Sequence, residues 1–448
     1  MKIKSLVVVT LMLSTLFVNC DRNDDFDSEN GNLELPIIEE EGPKDWRDFA
    51  NERIDEFRKS DLTIVVKNNT GELLANATVN VELKKHQFKF GAVVKANSFE
   101  VSPYANVYKE TFLQYFNASG FANALKPKSR GGINEEMADP IMEWFNENKI
   151  YVRGHALQWE KLKTFRPEMQ AVYNDSGITD IEKGEKLIEL SEIHFRHAIE
   201  KWDVQCWDVV NETINNFIVN DLVPQNTLVH WFKLSQELKN EFNRPNLKLF
   251  MNDYQVISAI VPGREVRIEQ YIARMDEMIN EGAPIEGIGF QSRIKRGYLD
   301  PETMYERLCM FEKYNLPYHA TEFEIRDEDN YTYSDALKKQ ILNELLTVYF
   351  SHPNTDGIWH WTFSDSESNN APWALFKYDG TPYPCGEEWI KLMEEDFNTN
   401  EILTTNANGL VNLRGFKGDY EITISSGGKT ITEYVTLNND GAFEIILD

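Results

Sequence analysis

Residues 206–212 read Cys-Trp-Asp-Val-Val-Asn-Glu, and residues 319–325 read His-Ala-Thr-Glu-Phe-Glu-Ile. Each is a brief apolar run that ends in a polar cluster carrying a carboxylate. A strand inside an all-parallel sheet is buried on both faces, so it reads as a near-continuous apolar run. Its C-terminal end opens onto the face where barrels place their active sites. Two carboxylates facing each other across such a mouth suit hydrolysis of a glycosidic bond, one as acid/base and one as nucleophile.

Six more runs of this kind lie around these two. Together the eight cover residues 88–94, 121–126, 151–158, 206–212, 247–254, 285–293, 316–325 and 357–365. Segments with helix-like apolar spacing, such as 184–201 and 265–281, separate most of them. Eight strand–helix units predict a (β/α)8 TIM barrel of the α/β class over residues 86–398, rather than a doubly wound sheet. Polar residues gather at the C-terminal ends of the runs: His155 and Trp159, Asn211 and Glu212, Asn252 and Asp253, Gln291, Glu322 and Asp365.

The flanks have a different period. Residues 61–85 alternate β-branched residues on either side of an Asn-Asn-Thr-Gly turn and predict two strands, and residues 409–447 predict about four more. A lone two-stranded hairpin is marginal in water. Residues 46–85 and 399–448 are therefore expected to pack together as one small all-β sandwich with the barrel inserted into it. The strings "GELLANATVNVEL" and "NANGLVNLRGFKGDYEIT" resemble the two parts of a transthyretin-like, carboxypeptidase-regulatory-type sandwich. The alternative is an N-terminal hairpin that plugs the barrel bottom while the C-terminal strands stand alone.

The N-terminus reads as a targeting segment. Lys2 and Lys4 precede an apolar run over 6–18 that is too short to span a bilayer comfortably, and the run closes on Asn19-Cys20. Residues 1–20 thus resemble a bacterial lipoprotein signal with Cys20 as the lipidated residue, although Asn19 is larger than the usual neighbour of that Cys. An ordinary secretory signal is the alternative. Acidic residues 21–45 read as a solvated tether. The expected location is the cell envelope of a Gram-negative bacterium, at the outer membrane or cell surface, with membrane contact only through the lipid.

The net charge of −27 argues against nucleic acid, whose phosphates demand basic grooves. Cys206, Cys309 and Cys385 accompany no Cys-x-x-Cys or His/Cys cluster, so neither a metal site nor a disulfide framework is expected. No Gly-rich phosphate loop is present, and no cofactor is expected. The chain is expected to be a monomer.

Seven segments, "FKFGAVV", "RGHALQW", "WDVVNE", "LFMNDYQV", "GIGFQS", "TEFEI" and "GIWHWTFSD", occur in order, each on an expected barrel strand. Together they resemble glycoside hydrolase family 10, the retaining endo-β-1,4-xylanases. The resemblance implies that Glu212 is the acid/base and Glu322 the nucleophile. It implies that Asn211 bonds the sugar 2-hydroxyl at the cleavage point. His155 and Trp159 would shape the sugar site nearest the nucleophile, Gln291 would bond that nucleophile, and Trp361 would form an aromatic wall. Asn123 and Lys126 match part of a further sugar site. For Trp159 and Trp361 core packing is the rival reading, and Asp253 reads equally as a polar support or a strand-end cap.

Three positions depart from the family pattern. Ala122 stands where a Glu precedes the Asn, and Glu160 stands where many relatives carry His. Arg293 stands where a His contacts the nucleophile, and it would meet Glu322 as a cation rather than as a neutral partner. The implied substrate is xylan or a related plant cell-wall polysaccharide, cut with retention. The alternatives are a same-fold hydrolase of another β-linked glycan, or a surface glycan-binding lipoprotein with little or no turnover.

Overall fold

The computed structural model describes residues 44–128, 132–261, 263–328, 332–366 and 371–448. The expected signal, Cys20 and nearly all of the acidic tether lie outside the described residues. Among the described residues no helix is long and apolar enough to cross a membrane.

Two strands, β1 (Lys59–Asn68) and β2 (Thr78–His86), precede eight that close into a barrel. These are β3 (Lys89–Val94), β4 (Ala118–Phe121), β5 (Tyr151–Gln158), β6 (Cys206–Asn211), β7 (Lys248–Tyr254), β8 (Gly287–Ile294), β9 (Tyr318–Ile325) and β10 (Thr355–His360). Neighbours pair in parallel in chain order, and β10 returns to pair with β3. Both β6 and β9 are buried at every position, as their apolar runs require.

Large rings fill the barrel. His319 of β9 stacks on Phe250 of β7 with ring centroids 4.1 Å apart and lies 4.5 Å from Trp359 of β10. Room for Trp359 comes from small residues opposite: a Cβ on Gly91 of β3 would stand 2.8 Å from its ring. Its indole Nε1 donates to Ser119 O of β4 at 3.0 Å. This corrects the expected second strand. The strand is Ala-Ser-Gly-Phe at 118–121, not 121–126, because the site beside Trp359 admits only small side chains.

The N-terminal flank also departs from expectation. Residues Trp46–Arg58 form a helix, not part of the sandwich, capped by Asp45, which accepts from the amides of Arg47 and Asp48. Arg58 at its end donates to Phe350 O (2.6 Å), His352 O (2.6 Å) and Thr355 O (2.7 Å), fixing the helix to the start of β10.

Five strands follow the barrel: β11 (Asn400–Thr404), β12 (Leu410–Phe416), β13 (Gly418–Ser426), β14 (Lys429–Leu437) and β15 (Gly441–Leu447). One sheet has the order β12-β1-β15 and the other β11-β2-β13-β14. Each N-terminal strand therefore lies between two C-terminal ones. β1 and β2 do not form a hairpin, because each finds its ladder partners in a different sheet. Their alternating apolar sides meet instead: Leu62, Ile64 and Val66 share a buried core with Val79, Val81, Ile422, Ile424 and Ile445. The flank joins the barrel through an aromatic cluster, with Phe350 centroids 5.8 Å from Phe416 and 4.4 Å from Phe397.

Candidate active site

The C-terminal ends of the barrel strands surround a cleft of about 590 Å³. All nine side chains expected to bind or act on substrate line it: Glu212, Glu322, Asn123, Lys126, His155, Trp159, Asn211, Gln291 and Trp361. Trp159 and Trp361 are half-buried there, whereas Trp207, Trp231, Trp359 and Trp389 are the fully buried core tryptophans. Both therefore present part of their surface to the cleft, while Trp361 also packs against Trp359 and its neighbours.

Glu212 follows β6 and Glu322 lies within β9, and both have left-handed backbone, at φ 61° and 55°. For a non-glycine residue this costs on the order of 1 kcal/mol and persists only where the surroundings impose it. The surroundings of Glu322 are tight. Its Oε2 accepts from Arg293 Nε (3.0 Å) and Nη2 (2.9 Å), while its Oε1 stands 3.4 Å from His155 Nε2. Arg293 Nη1 also donates to the buried Glu324. Burial opposes the arginine charge, yet pairing with Glu322 and Glu324 prevails and raises its pKa above the ordinary value.

His155 Nδ1 lies 2.5 Å from Asp208 Oδ2, a buried carboxylate that Arg153 also engages. Burial, with Lys126 and Arg153 adding to it, pushes the imidazole pKa well below its usual range, so the ring is neutral. With Asp208 accepting the Nδ1 proton, Nε2 presents a lone pair to the cleft and has no hydrogen-bond partner among the described residues. A sugar hydroxyl could supply the missing donor.

Glu212 is held differently. Its Oε2 accepts from Trp159 Nε1 (3.1 Å) and Asn216 Nδ2 (3.0 Å), with Lys161 Nζ 3.7 Å away. Gln291 Nε2 donates to Asn211 Oδ1 (3.2 Å) and Glu212 Oε1 (3.4 Å). The expectation that Gln291 would bond Glu322 is thus corrected. Arg293, two residues further along β8, has taken that carboxylate, and the Gln291 amide turns to the other. Asn211 Oδ1 also accepts from Asn252 (2.9 Å), whose own oxygen accepts from Thr321 (2.8 Å), so β6 to β9 are linked below the two glutamates.

Lys126 is buried, and burial lowers its pKa to about 8 against the attraction of Glu322. Its ammonium lies 5.0 Å from the Trp361 ring and 5.5 Å from that of Trp159. Asn123 accepts from Lys128 at 2.6 Å. Asp253 is a polar support: it accepts from Ile214 N (3.0 Å), Tyr254 N (2.8 Å) and Arg267 (2.8 Å), bracing the segment after Glu212. Ala122 lines a second hollow of about 880 Å³ that shares Asn123 and Trp361 with the cleft.

Glu160 is buried beside Trp159 and accepts from Trp231 Nε1 (3.0 Å) and Val219 N (2.8 Å). Burial pushes its carboxyl from 4.5 up to about 6 against these hydrogen bonds. The folded group therefore holds its proton more tightly than the unfolded one. The stability this contributes is complete below about pH 4.5 and is lost as pH rises through about 6. The difference corresponds to about 2 kcal/mol. A Glu160→Gln chain should gain about that much on the wild type in denaturant titrations between pH 4.5 and pH 7.5. Parallel pH curves for the two would contradict this account.

Sequence reasoning did not find Lys128, Lys161, Arg264, Lys295 and Arg296 on the cleft wall. All but Arg264 lie two or three residues beyond an expected strand, which is the available signal, but a Lys or Arg in a loop reads first as solvated. Cys309, Glu312 and His352 also place ligand-type atoms within 4.8 Å of one another, just before β9 and β10, at the end of the barrel opposite the cleft. Burial, then Arg58 and Arg53, lower the His352 pKa to about 3, and the same two cations oppose a metal ion there.

The sequence profile of Glycosyl hydrolase family 10 matches residues 80–389. Anti-sigma-I factor RsgI6 of Acetivibrio thermocellus is 27% identical over 427 residues, covering 92% of this chain and 50% of that protein. Endo-1,4-beta-xylanase 1 of Arabidopsis thaliana is 23% identical over 403 residues, covering 88% and 40%. The chain thus spans half or less of the length of these curated relatives. Among solved structures, xylanase 10B from Thermotoga petrophila in complex with xylobiose superposes with a TM-score of 0.57 at 21% identity, covering 69% of this chain and 95% of that one.

Proposed function

Because the chain belongs to glycosyl hydrolase family 10, we propose that it is a retaining, endo-acting hydrolase of β-1,4-xylosidic linkages in xylan-type polysaccharides. The observation that carries this reading is the pair of glutamates on one cleft, held in unlike surroundings. Glu322 is gripped on one oxygen by Arg293, which leaves Oε1 to attack an anomeric carbon. Glu212 sits among N–H donors at the more open side of the cleft. In the first step Glu322 Oε1 bonds to the anomeric carbon as the glycosidic C–O bond breaks, and Glu212 gives its proton to the leaving oxygen. In the second, Glu212 takes a proton from water, the water oxygen bonds to that carbon, and the Glu322 ester bond breaks.

The adjoining hollow beyond Asn123 and Trp361 supports endo action, since a polysaccharide can continue past the cut. Asn211 and His155 supply a donor and a lone pair for hydroxyls of the sugar at the centre. Residues 46–448 should release reducing sugar from xylan. Proton NMR of the first product should show the β anomer ahead of the α anomer. An α anomer appearing first would exclude retention, and no release at all would exclude the hydrolase.

A second reading, a glycan-binding protein that retains the barrel without turnover, is favoured by Arg293. A guanidinium bound to the nucleophile by two hydrogen bonds must be partly displaced as the carboxylate gives up its charge. Under this reading xylan binds and no reducing sugar appears.

A further inference from the structure

The cleft carries a charge opposite to that of the chain. Over 448 residues, 73 Asp and Glu outnumber 46 Lys and Arg. Among the described residues that line the cleft the balance reverses, with seven cations to three carboxylates. The cations come from separate connections: Lys126 and Lys128 follow β4, Lys161 follows β5, Arg264 follows β7, and Lys295 and Arg296 follow β8. Four loops that each bring a cation to one concavity of an acidic protein mark a site, not a composition. In a concave, partly desolvated wall such charges focus the field on whatever enters.

Three of these cations are not neutralised in place. Lys126 has ring faces beside it and Lys128 a neutral amide, and neither has a carboxylate within 4.0 Å among the described residues. The same holds for Arg264. The others are paired: Lys295 and Arg296 with Glu328, at 3.3 and 3.2 Å, and Lys161 with Glu212 at 3.7 Å.

We infer that the cleft selects a glycan bearing carboxylates, a β-1,4-linked xylose backbone with uronate side groups, over the neutral form of the same backbone. This rests on the glycosidase reading of the cleft and deepens it. The pendant carboxylate is met by the unpaired cations, while the hydroxyls of the backbone meet Asn211, His155 and the two tryptophans.

The test uses one polysaccharide in two forms, a glucuronoxylan and the same material with its carboxyls reduced to alcohols. With the Glu212→Gln chain, calorimetry on matched oligosaccharides reads binding without turnover. The uronate form should bind about tenfold tighter, from two or three exposed-type pairs. The margin should shrink towards unity at high salt, where the screening length falls to a few ångströms. In the active chain, Arg264→Gln should raise KM for the uronate form several-fold and leave the reduced form unchanged. Equal affinity for the two forms, or a margin indifferent to salt, would overturn this inference while leaving the hydrolase reading intact. Binding of neither form would remove both.

Discussion

The Glu322→Ala chain should hydrolyse xylan at least about 10⁴-fold more slowly than the wild type, and Glu212→Ala should do so by a comparable factor. The two losses differ in kind. Without Glu322 no group in the cleft can form the ester, and Arg293 is left with Glu324 as its carboxylate partner. A small anion such as azide can enter the space beside that guanidinium and attack from the same side. The expected product is an α-glycosyl azide, the inverted form. Without Glu212 the ester still forms when the leaving group needs no proton, so an activated aryl xyloside should show a fast first turnover and slow release. Azide should then attack the ester and yield the β-glycosyl azide. Identical azide products from both variants, or more than about a tenth of wild-type activity in either, would remove the assigned roles.

The second large effect concerns the far end of the molecule. A chain ending at Asn398 lacks β11 to β15, so β1 and β2 each lose both ladder partners. Leu62, Ile64, Val66, Val79 and Val81, all fully buried, lose the surface that covers them. At about 2 kcal/mol for each aliphatic side chain, the five represent about 10 kcal/mol, comparable to the whole stability of an ordinary domain. Removal of Phe416 also strips one ring from the cluster around Phe350. The shortened chain should aggregate on expression or melt at least about 10 °C lower. A chain trimmed at both ends, residues 87–398, should behave better than the one trimmed at the C-terminus alone, because it carries no orphaned strands. An unchanged melting temperature after the C-terminal deletion would mean that the two flanks do not stabilise one another.

What could be read in advance follows from how each element is buried. Strands that carry some large apolar side chains, such as β5 with Val152 and Leu157 and β6 with Trp207, Val209 and Val210, announced themselves within a residue of their bounds. β4 did not, since Ala118, Ser119 and Gly120 are small for the sake of Trp359 and Arg153; a Cβ on Gly120 would stand 2.8 Å from Arg153 O. β11 carries no apolar alternation at all, and its Ile402 is 74% exposed, so nothing local marks it as a strand. The 46–58 helix was hidden by an acidic, weakly apolar stretch that buries only Ala50 and Ile54.

At the site, the two glutamates were legible because Glu212 directly follows the apolar run of β6 and Glu322 lies in the C-terminal half of β9, on the face where a barrel opens. Gln291 was placed on the right wall but against the wrong partner. Its amide is displaced by the longer reach of Arg293 from the same strand, and reach across a barrel mouth is not a property of spacing. The cationic lining was illegible for a related reason. Its members are scattered over four connections and only the closed barrel brings them together.

The seating of β1 between β12 and β15 has a consequence for the order of events in folding. Asp61 N bonds Asp440 Oδ1 across 379 positions, a closure that an unfolded chain would make slowly. Once the barrel has formed, however, β2 leads into β3 within two residues, and Phe397, just before β11, already stacks on Phe90 of β3 at 6.1 Å. The barrel holds both ends of the split module side by side, so the effective loop shrinks from hundreds of residues to a few. The sandwich should therefore assemble after the barrel and at a rate set by it. Until β15 emerges from synthesis, β1 waits with an open edge, and that interval is when the chain is most exposed to mispairing with another copy of itself.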